Sequence, residues 1–308
     1  MAHKRKGVPI HGWVIIDKPE GMTSTQVVGK VRRLTNAAKV GHGGTLDPMA
    51  TGLLPIALGE ATKTVAYAMD GAKSYRFTVK WGAETDSADA EGEVTETTEA
   101  RPTEEAIRAA LPQFIGEIEQ TPPIFSAVKI DGKRAYDLAR KGEKVEVKSR
   151  RVRIDRLELI EVIDEDHAVF EVDCGKGTYV RSLGRDLARA LGSLGHLSQL
   201  RRTKVASFTL ELAISLDKLG VLTDSAPAET WLKPVATVLD DIPALALTSE
   251  EARAMRQGQA VSLLQAANRL PEMDEIQGAT LVAFSKGTPV ALARIEKGKI
   301  QPIRVLNL

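Results

Sequence analysis

The 308-residue sequence holds one cysteine, Cys174, and only five histidines, and aromatic residues make up just 4% of it. A single thiol excludes an internal disulfide and a cysteine-rich zinc site. The histidines (His3, His11, His42, His167 and His196) show neither H-x-x-x-H nor H-E-x-x-H spacing, which argues against a histidine-held metal. So few rings argue against an aromatic platform that stacks many successive bases. No apolar run approaches the roughly 20 residues that cross a bilayer. The opening, Met1 to Lys6, leads into no apolar signal segment, and the expected address is the cytoplasm, away from any membrane. Also missing are a G-x-x-x-x-G-K-[ST] phosphate loop and a G-x-S-x-G nucleophile elbow, and Gly41-His42-Gly43-Gly44 lacks the third glycine of a dinucleotide fingerprint. Chemistry without a cofactor or a metal is the economical expectation.

What is present describes a globular protein, with 43% hydrophobic and 27% charged residues, long enough for about two domains. The net charge of +1 conceals segregation. Residues 84–105 carry nine acids (Glu84, Asp86, Asp89, Glu91, Glu93, Glu96, Glu99, Glu104, Glu105) against Arg101 alone. Basic side chains dominate residues 1–39, 128–156 and 176–204. Such polarity suits a polyanionic partner, although solvated faces on unrelated elements would give the same counts.

The hydrophobic pattern is mixed and strand-rich. Trp13-Val14-Ile15-Ile16 reads as a strand, followed by a helix capped by Thr23 or Ser24 with Val27, Val31 and Leu34 on one face. Residues 62–69 suggest a short helix, 74–81 a strand, 102–111 a helix, 151–163 and 168–174 paired strands, and 178–191 a helix. The acidic stretch reads as a turn or mobile loop. Residues 220–245, with Pro227, Pro234 and Pro243, read as a linker, and glycine-punctuated short strands follow it.

The densest unusual stretch runs from Gly41 to Gly59 and holds five glycines and one acid, Asp47. Asp47-Pro48 is compatible with a helix N-cap and a proline in the first helical turn. It is equally compatible with a carboxylate on a glycine-framed loop, available as nucleophile or general base. Tyr75 fits either a core aromatic or a ring face for a base. Arg181, Arg185 and Arg189 repeat every four residues, as on a solvated helix face.

Gly41-His42-Gly43-Gly44-Thr45-Leu46-Asp47-Pro48-x-Ala50-Thr51-Gly52-x-Leu54-Pro55, with Gly59-Glu60-Ala61-Thr62-Lys63 after it, resembles the signature of the TruB family of tRNA pseudouridine synthases. The resemblance continues through residues 122–136, Gly175 to Leu183 and Leu200-Arg201-Arg202, in the family's order. The signature departs from the commoner family form, which has Thr at 43 and Ala at 45. The resemblance implies an α/β fold of the α+β type, a mixed and largely antiparallel central sheet flanked by helices. It also implies a synthase domain over residues 1–240, an RNA-contacting insertion near 120–150, and a small β-rich PUA-like RNA-binding domain over 241–308. The implied activity is cofactor-free isomerisation of the tRNA T-arm uridine to pseudouridine by a monomer that needs no protein partner. The implied catalytic set is Asp47, Tyr75 and Arg181. His42, Lys63, Tyr179 and Leu200 are implied around the flipped nucleotide, and Lys129, Lys133 and Arg134 on the RNA backbone. A catalytically silent RNA-binding or tRNA-folding protein is the rival reading, against which the intact Asp47, Tyr75 and Arg181 argue.

Overall fold

A nine-stranded sheet forms the centre of the computed structural model, which describes residues 7–124, 147–270 and 278–308, and the backbone of 129–130 and 133–134. Its strands lie in the order Gly12–Lys18, Thr51–Leu58, Gly195–Val205, Lys73–Trp81, His167–Cys174, Arg150–Asp164 and Gly116–Gln120. Val40–His42 and Phe208–Thr209 attach to Thr51–Leu58 and Gly195–Val205. Every pairing is antiparallel except that of Gly195–Val205 with Thr51–Leu58, which sets Arg201 beside Thr51 and Arg202 beside Gly52. The expected mixed, largely antiparallel sheet is therefore present.

Both faces are covered, which is why Thr51–Leu58 is almost wholly apolar rather than alternating. One face packs on helix Ser24–Thr35 through Val27 and Val31 and on helix Val180–Ala190 through Leu183 and Leu187. The first helix starts at a reciprocal cap between Thr23 and Gln26 and stops at Asn36 in left-handed conformation. On the opposite face, Trp13, Ile15, Leu53, Ala57 and Phe208 form a second cluster.

That second cluster corrects the linker reading of residues 220–245. Helix Leu216–Ser225 and the 3-10 turn Val235–Leu239 occupy the segment, and Val235, Val238 and Leu239 are buried against Trp13 and its neighbours. The prolines set turn geometry there rather than marking an unpacked tether. Beyond them a five-stranded sheet, in the order Ala244–Ala246, Thr280–Ser285, Thr288–Glu296, Lys299–Val305 and Val261–Ser262, carries helix Ser249–Arg256 and a core of its own. Val282, Leu292 and Leu306 of this β-rich unit join the cluster around Trp13.

The acidic stretch is likewise no plain loop. Ala83–Thr85 pairs with Val94–Thr97 as a hairpin, and helix Glu104–Ala110 follows, capped by Thr103. The hairpin's tip folds inward and buries Asp89.

Candidate active site

No helix follows Asp47, so the N-cap alternative is excluded. The chain from Gly43 to Ala50 is an irregular loop between strands Val40–His42 and Thr51–Leu58, with a tight turn closed by Ala50 N–H donating to the Asp47 carbonyl. Three buried side chains hold this loop. Ser24 Oγ donates to the Leu46 carbonyl and accepts the Leu46 N–H, at 3.1 and 2.9 Å. Lys18, 1% exposed, donates from Nζ to the carbonyls of Pro19, Met22 and Pro48 at 2.7–3.0 Å. Arg202, also 1% exposed, donates to the carbonyls of Leu53, Gly44 and Thr45 at 2.8, 3.0 and 3.3 Å. Gly52 must be glycine: its φ is +95°, and a Cβ would lie 2.3 Å from the Arg202 carbonyl. At Gly43, where the commoner family signature has Thr, Ala68, Pro55 and Trp13 fill the space.

Arg181 sits between two carboxylates. Its Nε lies 2.9 Å from Asp47 Oδ2 and its Nη1 3.0 Å from Asp89 Oδ2, and Nη1 also donates to the Ser87 carbonyl at 2.9 Å. The two acids are differently placed. Asp89 is 2% exposed, and its other oxygen accepts from Ser87 Oγ at 2.6 Å and from the Glu91 N–H at 3.1 Å. The Asp47 side chain keeps 34% of its surface accessible. One carboxylate is thus saturated by donors and serves the arginine, while the other is free to meet a substrate.

Dense protein around Asp47 pushes its carboxyl above the ordinary carboxylate range, and the Asp89 charge adds to this. Arg181 and Lys18 oppose the rise and favour the ionised form. Burial brings Lys18 down to about 8, countered by the Asp47 charge.

Tyr75 stands in strand Lys73–Trp81 directly beside Arg202, and Leu200 pairs with Phe77 two residues along the same ladder. Burial raises the Tyr75 hydroxyl while the Arg202 charge and hydrogen bond lower it, so at neutral pH it remains a proton donor. Leu200 is buried in the same cluster as Tyr75. Tyr179 precedes helix Val180–Ala190, two residues before Arg181, with the Arg150 guanidinium 4.8 Å above its ring. His42 ends strand Val40–His42 at the entry to the Asp47 loop.

The structure therefore joins Asp47 directly to Arg181, sets Tyr75 and Leu200 in one buried cluster, and places Tyr179 at the start of the helix that carries Arg181. Lys63 is engaged elsewhere: its Nζ donates to Glu60 Oε2 and to the Val305 carbonyl, both at 2.7 Å, tying the 3-10 turn Gly59–Lys63 to the C-terminal unit. Lys129 and Lys133–Arg134 lie on a short antiparallel pair, and their side chains fall outside the described residues. Among the described residues no group of three or more His, Cys, Asp or Glu could hold a metal ion. Sequence reasoning missed Asp89, Lys18 and Arg202. Asp89 is hidden among eight other acids, Lys18 ends a strand that is otherwise largely apolar, and Arg202 sits in a mixed run beside Arg201 and Lys204. The available signal was a charged residue on the inward register of a buried strand.

Two family models match: TruB family pseudouridylate synthase (N terminal domain) over residues 32–180, and tRNA pseudouridylate synthase B C-terminal domain over residues 181–241. The tRNA pseudouridine synthase B of Rhodospirillum rubrum is 54% identical over 308 residues, covering 100% of each chain. That of Caulobacter vibrioides is 50% identical over 309 residues, again covering 100% of each. Among solved structures, a chain of a Cbf5-Nop10-Gar1 complex matches with a TM-score of 0.75 and 27% identity, over 96% of this chain and 85% of that one. An H/ACA RNP bound to a substrate RNA containing 2'-deoxyuridine shares the fold, with a TM-score of 0.74 at 22% identity over 100% of this chain and 92% of that one. With both family models matched in sequence order, the chain belongs to the TruB family of pseudouridylate synthases.

Proposed function

We propose that this chain isomerises the T-arm uridine of tRNA to pseudouridine and that Asp47 is the carboxylate that does so. The observation carrying this reading is the asymmetric cluster of Asp47, Arg181 and Asp89, in which only Asp47 reaches solvent. A uridine stacked in an RNA loop must be flipped out to meet such a recessed group. The N-glycosidic bond breaks, the uracil turns, and its C5 bonds to the same sugar carbon. The C5 proton leaves and a proton is gained at N1, so nothing is consumed. Asp47 supplies a nucleophile or base that departs afterwards, Arg181 favours its ionised form against the effect of burial, and Tyr75 offers a proton.

The flanking assignments belong to the same proposal. His42, Tyr179 and Leu200 flank the flipped nucleotide, and Lys129, Lys133 and Arg134 contact phosphates. The C-terminal β-rich unit, taken from residue 241, acts as a PUA-like RNA-binding domain behind a synthase domain of residues 1–240. The enzyme works as a monomer in the cytoplasm, where its substrate is found. Lys63 is better read as a strut between the two units. Incubating the chain with unmodified tRNA transcript, then mapping pseudouridine by mass spectrometry after selective derivatisation, tests this reading. Pseudouridine at the T-arm uridine is expected. Its absence, with tRNA still bound, would favour the silent RNA-binding alternative.

A further inference from the structure

Helix Val180–Ala190 delivers Arg181 to Asp47, yet its start has no side-chain cap of its own. The preceding Gly177 is left-handed, with φ +87°, and only Thr178 Oγ1 donating to the Gly175 carbonyl braces the turn locally. A helix start of this kind frays unless its first groups are held from elsewhere. Here they are held by two neighbouring strands. Gln120 and Arg150 face each other in the antiparallel pair of Gly116–Gln120 with Arg150–Asp164. Gln120 Oε1 accepts the Tyr179 N–H at 2.8 Å, the bond a capping box would otherwise supply. Arg150 stacks on the Tyr179 ring and donates from Nη2 to the Gly177 carbonyl. The Thr121 carbonyl accepts from Ser182 Oγ at 2.8 Å and from Arg185 Nη2 at 3.2 Å, which pins the first turn.

Two of the donors involved are left over. Gln120 is 1% exposed, and because its oxygen must face the Tyr179 N–H, its buried Nε2 has no partner among the described residues. The buried Arg150 Nε has none among them either. An orphan buried donor is destabilising, and an apolar side chain would remove it only by taking the acceptor from the Tyr179 N–H. The polar pair is therefore kept for where it puts the backbone of 177–180 rather than for stability. We propose that Gln120 and Arg150 are positioning residues, a clamp that fixes the Tyr179–Arg181 stretch so that the guanidinium of Arg181 meets Asp47. This rests on the reading of the chain as a pseudouridine synthase.

The test uses the full chain with Gln120→Leu, Gln120→Glu and Arg150→Met, each checked by melting temperature. Two readouts are taken: single-turnover pseudouridine formation beside tRNA affinity, and amide hydrogen exchange at residues 179–183. Gln120→Leu should slow the chemical step about tenfold or more with affinity within about threefold, as misplacement of a catalytic group does. Gln120→Glu keeps an acceptor for the Tyr179 N–H and should retain most of the rate, and Arg150→Met should slow the step in the same sense. Exchange protection at 179–183 should fall in Gln120→Leu while the sheet core stays protected. An unchanged rate and unchanged protection in folded Gln120→Leu overturns the clamp, as does a loss confined to affinity. An inactive wild-type protein overturns the functional reading instead, and the exchange measurement then still decides whether the clamp exists.

Discussion

In the proposed reaction Asp47 must be ionised to react, yet its surroundings disfavour the ionised form. Burial raises its pKa more than Arg181 and Lys18 lower it, so the folded protein binds this proton more tightly than the unfolded chain does. The stability contributed by that proton is present at acid pH and is lost as pH rises through the raised pKa. Above it, the ionised group is a standing cost of the active site. The acid limb of single-turnover activity should accordingly lie above about 4, the ordinary aspartate value. At pH 8, Asp47→Asn should melt at or above the wild-type temperature. An acid limb at or below the ordinary value, together with a lower melting temperature for Asp47→Asn, would show that Arg181 outweighs burial. Asp89, by contrast, is 2% exposed and is met by Arg181, Ser87 Oγ and the Glu91 N–H.

At the scale of elements, the Asp47 loop takes its shape from a cation in a neighbouring strand. Arg202 bridges Gly44, Thr45 and Leu53, on both sides of Asp47. Arg202→Met should leave those carbonyls without donors and cost about 3 kcal/mol or more of stability, measured by denaturant unfolding. Turnover should fall beyond what the folded fraction explains, and wild-type stability in this variant would remove the loop's main anchor from the account. Strands 12–18, 73–81, 150–164 and 167–174 and helices 24–35 and 180–190 were legible because their apolar spacing follows the local period. The hairpin at 83–97 was not, since its second strand is exposed, its first is short, and its one fully buried acid looks like its neighbours. Asp47 was legible only as a carboxylate in a glycine-rich loop. Its partner Asp89 and its anchors Lys18 and Arg202 depend on contacts between distant segments, which no local pattern records. Some of the basic side chains in those stretches are answered within the fold. Arg156 serves Glu158, Glu171 and Asp173, Arg189 serves Glu84, and Arg201 serves Asp17.

Across the whole molecule, the cluster around Trp13 decides how separable the C-terminal unit is. Composition suggested a tether, but Val282, Leu292 and Leu306 complete a core that begins in the first strand. Lys63 and Glu60 reinforce the junction, with Glu60 Oε2 accepting from the Lys63 ammonium and from the Asn307 N–H. Removing residues 241–308 should therefore uncover Trp13, Ile15 and Phe208, lower the melting temperature by several degrees and increase binding of a hydrophobic dye. A truncated chain that melts like the full one, without dye binding, would mean that the shared cluster contributes little and that the unit is an independent module.

The central claim is that the solvent-reaching carboxylate performs the chemistry, and Asp47→Asn tests it most directly. The substitution keeps shape and most hydrogen-bonding capacity while removing the charge and the reactive oxygen. Single-turnover pseudouridine formation and tRNA affinity should be measured on one folded preparation. Turnover should drop by roughly 10⁴-fold or more, as when other enzymes lose a nucleophile. Affinity should stay within about tenfold, because phosphate contacts carry most of RNA binding. Near-wild-type pseudouridine formation by folded Asp47→Asn would contradict the account.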